Sequence, residues 1–213
     1  MFNYIEGNES AQTILDTAQR LFYRKGINKT TLTDIAKSAH VAHSLVSYYF
    51  KDKAGIVCMV MQREYSVMLE KAQSIAQTEA DTWIVWIYLF AYRYDTDKDF
   101  ARFFYDYLRF DIGSENIHNS LSQFITLYHH SINVFPTSDG LDIHDYYEYL
   151  YYLCHYELLA ITEYNKSNRK TNTYLLYGRT MSSWLLLING KVDRSLVTDY
   201  VLTIEKNLLP YLV

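Results

Sequence analysis

Two prolines and seven glycines are all that punctuate 213 residues. A chain so poor in both has few places where helices must break, and a loop-rich or collagen-like chain is excluded. Cysteine is as scarce: Cys58 and Cys154 stand far apart with no metal-ligand spacing around either, which points to buried free thiols. Long apolar runs are missing too. The stretches from Trp83 to Ala91 and from Trp184 to Ile188 fall far short of the roughly 20 residues that a membrane span needs. No charged-then-apolar leader opens the sequence, so the expectation is a cytoplasmic protein with no membrane partner. Signs of catalysis are equally thin, with no phosphate-binding glycine loop and no nucleophile elbow, and the chain reads as a non-enzyme. His129, His130 and His155 invite a metal reading, but adjacent histidines point to different helix faces and neither has a carboxylate or thiol four residues away. No metal and no cofactor is expected.

Apolar residues make up 49% of the chain, enough for a substantial core, and they recur at helical spacing nearly throughout. The fold class read from this pattern is all-α. Charge is divided unevenly along the chain. Residues 1–55 carry seven lysines or arginines against five acids, while the remainder carries thirteen against nineteen. A slightly basic head on an acidic body suits binding of a phosphate backbone by the head.

Within that head, Ala11, Ile14, Leu15, Ala18, Leu21 and Phe22 fall on one face of a helix that should stop at Gly26, a residue tolerant of positive φ. Thr31-Leu32-Thr33-Asp34 has the form of a capping box, in which hydroxyl and carboxylate each satisfy an otherwise orphaned amide. A short helix to about Ala39 follows, with Ile35 and Ala36 inward. After a turn at Ala39-His40-Val41, His43 to Tyr49 supplies a third helix with Leu45 and Val46 available for packing, and Phe50 closes the small core before Lys53 opens a long fourth helix. Two short helices joined by a tight turn and braced by a longer one are the parts of a helix-turn-helix, whose second short helix lies in the major groove.

The motifs then fall in order: A-x-x-L-F-x-x-x-G from Ala18 to Gly26, T-x-x-D-I-A from Thr31 to Ala36, and Tyr-Tyr-Phe-Lys-x-Lys from Tyr48 to Lys53. In this set, residues 10–60 resemble the DNA-binding domain of the TetR family of bacterial regulators. The motif resemblance ends near residue 60, beyond which only length and helical layout agree with the family. It implies a helix-turn-helix domain over residues 1–52 and a helical effector-binding and dimerisation domain over residues 53–213. It also implies that Thr33, Ala42, His43, Ser44 and Ser47 lie near base edges while Thr31, Tyr48, Tyr49 and Lys53 hold phosphates. Physics agrees with that division, since hydroxyls and an ammonium at helix N-termini can grip phosphate oxygens and short polar side chains can meet the groove floor. The sequence departs from the family at His40, where a turn glycine is usual, at Ser47, where tyrosine is common, and at His43, where arginine or lysine often stands. Without a guanidinium on the reading helix, the operator is expected to be read through shape, backbone grip and A·T contacts.

In the body, helical patterns run over residues 53–77, 81–94, 97–110, 115–134, 142–165, 172–188 and 194–209, with Thr137 to Gly140 as the clearest loop. Tyrosine is heavily used, with 22 copies. Most of these pack or cover surface, and the resemblance implies that some line a small-molecule effector pocket, for which Tyr92, Tyr105, Tyr128, Tyr152 and Tyr156 are the candidates. The last two helices carry apolar stripes, and Gly178 and Ser182 stand four apart, a spacing that lets helices approach closely. That approach serves either packing within the chain or, as the resemblance implies, a two-fold four-helix contact in a homodimer, with Leu175, Gly178, Ser182, Leu185, Tyr200 and Ile204 as candidates. The expected function is a DNA-binding transcriptional repressor that reads a palindromic double-stranded operator and is released by an effector. The alternative is a TetR-like protein-interaction module that has lost operator binding.

Overall fold

The structure is a computed structural model. It describes residues 8–110, 160, 172, 174–175, 177–182 and 197–211, and every described element is a helix or a turn. The elements are α1 (Glu9–Lys25), α2 (Leu32–Ser38), α3 (His43–Phe50), α4 (Lys53–Ile75), α5 (Glu79–Thr96), α6 (Lys98–Arg109) and α7 (Val197–Leu208), the last ending in a 3₁₀ turn at Leu209–Tyr211. Their bounds lie within a few residues of those read from periodicity. The patterns over 115–134 and 142–165 and the loop at Thr137 to Gly140 lie almost entirely outside the described residues.

Packing divides the described chain into two compact units, one of residues 8–64 with 98–110 and another of residues 65–97 with the described residues from 160 onward. In the first unit, α1 buries Ala11, Ile14, Leu15, Thr17, Ala18, Leu21 and Phe22, the stripe that its three- and four-residue spacing predicts. The Asn8 side chain caps its start by accepting from the Ala11 amide at 3.1 Å. Its end is set by Gly26, whose φ of +86° leaves the helical region. A side chain there would meet more than backbone strain, because a Cβ would lie 2.6 Å from the Asp106 carboxylate.

That carboxylate comes from α6, an element nearly eighty positions downstream. It accepts from the Ile27 amide at 2.9 Å. Helix α6 is strongly two-faced, burying Phe100, Phe103, Phe104 and Tyr107, and Phe103 lies against both Phe22 (ring centroids 6.2 Å apart) and Tyr23 (5.4 Å) of α1. Burial of one such ring contributes roughly 1.5–3 kcal/mol, a large share for so small a unit. On its other side α1 is tied to α4: Arg63 donates to Gln12 (2.7 Å) and Gln19 (3.2 Å) and pairs with Asp16, while the buried Glu64 accepts from Gln19 and Tyr23.

The second unit is bound differently. Helix α5 is buried from Thr82 to Ala91, and its Trp86 and Phe90 stack at 5.1 Å and both meet Tyr65 of α4. Among these apolar groups sits one polar clasp. The Tyr88 hydroxyl donates to Glu205 at 2.8 Å, and the Arg179 guanidinium takes the same carboxylate with two bonds of 2.7 and 2.6 Å. Arg179 holds the Glu205 carboxyl below the usual carboxylate range, outweighing the opposite effect of burial. Nearby, Tyr200 of α7 donates to Asp81 at 2.6 Å, and burial, with that bond second, pushes its hydroxyl up to about 12.

Candidate nucleic-acid interface

Helix α2 begins with the capping box that its sequence spells. The Thr31 hydroxyl accepts from the Asp34 amide at 3.0 Å and the Asp34 carboxylate accepts from the Thr31 amide at 3.0 Å. These bonds hold the exposed Asp34 carboxyl below its ordinary value, the Thr31 amide contributing most and the hydroxyl next. Hydroxyl and carboxylate together close the box. Ile35 and Ala36 are buried beneath α2.

The turn into α3 is tight. His40 takes φ of +56°, the left-handed conformation its position demands and one that histidine tolerates better than most residues. The Val41 amide then bonds back to the Ala36 carbonyl at 3.0 Å. Helix α3 inserts Val46 and Phe50 into the core, which fixes the rotation of its other face. Ala42 and His43 are exposed beside Ser44 and Tyr48, and Ser47 and Tyr49 are half-buried; Thr31 and Thr33 are exposed at the start of α2. Tyr48 has 69% of its surface free, and Tyr49 braces it edge-on at 5.2 Å. A short helix whose inner residues pack and whose outer face offers hydroxyls, an imidazole and a projecting phenol has the width and chemistry to enter a major groove.

Lys53 is placed less simply. Its ammonium donates to the Ile27 carbonyl at 3.2 Å and to the Thr30 carbonyl at 3.3 Å, and stands 5.1 Å from the centre of the Phe110 ring. It therefore ties the α1–α2 connection to α4 and to the end of α6, whatever else its remaining proton meets. Sequence reasoning did not find these ties, nor the roles of Arg63, Glu64 and Asp106 in fixing α1. The only available signal was the presence of polar residues on helix faces that otherwise bury apolar groups.

Of the effector-pocket candidates, Tyr92 is half-buried and meets Tyr174 edge-on at 5.1 Å. Tyr105 is 42% exposed on α6 in the first unit, with the Arg109 guanidinium 5.1 Å over its ring. It faces solvent rather than an interior. Tyr128, Tyr152 and Tyr156 lie outside the described residues, as does Leu185 among the dimer candidates. Leu175, Tyr200 and Ile204 are half-buried, and Gly178 and Ser182 are buried. Gly178 uses its missing side chain within the subunit, since a Cβ there would come within 2.4 Å of the Tyr88 ring. Among the described residues no group of histidine, cysteine, aspartate or glutamate could hold a metal ion, and no helix is long and apolar enough to cross a membrane.

Comparison with known proteins falls on this same surface. Residues 14–58 match the family described as bacterial regulatory proteins, tetR family. Over 51 residues the chain is 43% identical to the HTH-type transcriptional regulator AcrR of Shigella flexneri, a match covering 24% of each protein. Over 70 residues it is 39% identical to the probable HTH-type transcriptional regulator YttP of Bacillus subtilis, covering 32% of this chain and 34% of that one. The chain thus matches 24% and 34% of the length of these two relatives. In fold, the chain is similar to the transcriptional regulator FadR from Bacillus subtilis, solved in complex with stearoyl-CoA, at a TM-score of 0.50 and 18% identity over 85% of this chain and 99% of that one.

Proposed function

We propose, from the premise that the chain belongs to the TetR family of bacterial regulatory proteins, that it is a dimeric transcriptional repressor released from its operator by a small molecule. One observation carries the DNA-binding half of this reading: α3 is packed on one face by Val46 and Phe50 and presents Tyr48, His43 and Ser44 on the other. In this reading Thr33, Ala42, His43, Ser44 and Ser47 approach base edges, and Thr31, Tyr48 and Tyr49 hold phosphates, with Lys53 contributing its remaining proton. Two such surfaces at a fixed spacing read a palindrome and convert two weak contacts into one strong one.

Residues 1–52 supply the reading surface and residues 53–213 the effector and dimer surfaces. Leu175, Tyr200 and Ile204 remain candidates for the dimer contact. Tyr92 remains one for the pocket. An effector releases the operator when it binds better to the form with the wrong head spacing. The relatives support this reading: one is named a transcriptional repressor, and a structural neighbour holds an acyl-CoA.

The test is selection of binding sites from a random-sequence DNA pool, followed by affinity measurements at two salt concentrations for the parent protein and a Tyr48→Ala, His43→Ala double variant. Lys53→Ala is a poor probe because it also removes the bonds to Ile27 and Thr30. The expected result is a palindromic site, bound with a steep salt dependence and weakened at least tenfold in the variant. Absence of any selected site would overturn the repressor reading in favour of a protein-interaction module, which the commitment of the Lys53 ammonium to two carbonyls favours.

A further inference from the structure

The head carries an open cleft of about 790 Å³ between α1 and α6. Its walls are unusual in charge. Arg20 and Arg24 from α1 and Arg102 from α6 all line it. Arg20 and Arg24 stand four apart on an exposed helix face, an arrangement in which like charges repel and weaken the helix. The last-turn position of Arg24 favours a cation, but Arg20 has no such compensation. Among the described residues neither guanidinium has a hydrogen-bond or ion-pair partner. Arg102 is held at 2.7 Å by Asp99, one turn earlier on the same helix.

The acidic wall of the cleft is already matched. Asp16 is paired with Arg63, a residue of α4. The neutral wall is made by Gln19 and Tyr23, and both donate to the buried Glu64 of α4. Folding therefore matches both acids of the cleft, Asp16 with Arg63 and Asp99 with Arg102, and leaves two of its three forked cations, Arg20 and Arg24, without a partner among the described residues. Guanidinium forks match the geometry of phosphate and carboxylate oxygens.

We propose that this cleft is a binding site for a small polyanion carrying clustered phosphate or carboxylate groups, with Arg20, Arg24 and Arg102 as its ligands. None of the lining residues belongs to α3. Its position also gives it a grip on the head. Asp16, Gln19 and Tyr23 line the cleft with one surface and lock α1 to α4 with the other, so a ligand drawn against them acts on the lock. This assignment does not depend on operator binding.

The experiment is calorimetric titration of the full chain, at constant ionic strength, with inorganic tripolyphosphate and with citrate as the two probes. The parent is compared with an Arg20→Ala, Arg102→Ala variant and with a Lys29→Ala, Lys37→Ala variant, which removes the same amount of charge from outside the cleft. Expected is saturable binding of at least one probe, weakened tenfold or more in the arginine variant and less than threefold in the lysine variant. The better-bound probe identifies the oxyanion class. Thermal unfolding of both variants checks that the exposed substitutions leave the fold intact, and Arg20→Lys, Arg102→Lys separates loss of the fork from loss of charge if it does not. Absence of saturation with both probes, or equal weakening by the lysine variant, overturns the assignment. So does displacement of the probe by a random-sequence duplex at equal phosphate concentration, which would make the cleft an edge of the DNA footprint.

Discussion

The two compact units solve the same problem, holding helices together, with different chemistry. In the head, α1 is fixed by side chains that reach it from α4 and α6: Arg63 and Glu64 on one side, Asp106 and Phe103 on the other. In the second unit, α5 is continuously buried from Thr82 to Ala91, and the polar ties are the clasp of Tyr88, Glu205 and Arg179 and the Tyr200–Asp81 bond. The contrast follows from size and duty. A small unit that must expose one whole face of α3 has little apolar area to bury, so directional bonds and caps carry a larger part of its stability. A helix buried on nearly every side can rely on packing.

Removal of the Phe103 ring, which meets both Phe22 and Tyr23, gives the strongest test of that contrast. Phe103→Ala should destabilise by about 3–5 kcal/mol, read by chemical denaturation, and hydrogen exchange should show α1 and α6 loosening together. A loss confined to α6 would mean that α1 does not depend on it. In the second unit, Glu205→Gln keeps the shape of the clasp but removes its charge, and about 1–3 kcal/mol should be lost. The same group sets a pH dependence. Because Arg179 depresses the Glu205 pKa in the folded chain, the stability it contributes is present above the carboxyl's unfolded value of about 4.3. That contribution is lost as pH falls through the lower folded value. Acid titration of the parent and of Glu205→Gln should therefore converge at low pH; parallel curves would sink the assignment.

A smaller effect is expected at the cap of α2. Thr31→Ala should cost about 1 kcal/mol, measured as a shift in denaturation midpoint, while Thr31→Ser should recover most of it. The smallest belongs to Tyr48. At 69% exposure, its replacement by alanine should change stability by less than about 0.5 kcal/mol. A larger loss would show that the phenol is part of the head's packing rather than its reading surface.

These differences also explain how much could be read from the residues alone. The inner faces of α1 and α2, the capping box at Thr31, the end of α1 at Gly26 and the left-handed turn at His40 were legible, since each is set by neighbours three or four positions away. Lys53 was legible as a cation next to the reading helix, but its bonds to Ile27 and Thr30 were not. Asp106 was invisible for the same reason: its partner is nearly eighty residues distant, and helical periodicity carries no information about which helix a polar side chain will meet. Gly178 shows the limit from the other side. Its small size announced a close approach, but size alone does not name the partner, and the approach is to Tyr88 of the same chain. Tyr105 could be counted among aromatic residues of the body, yet its exposure depends on which face of α6 packs.

The bond from Asp106 to the Ile27 amide has a consequence for anyone wishing to borrow this reading surface. A fragment cut at residue 52 would carry all the proposed DNA-facing side chains but Lys53, and would leave behind the carboxylate that seats the α1–α2 connection and the ring that covers Phe22. The transferable module is therefore discontinuous in sequence. A chimera that moves the proposed reading surface onto another protein has to bring residues 98–110 along, or supply from its own helices an acid and an aromatic in the same places.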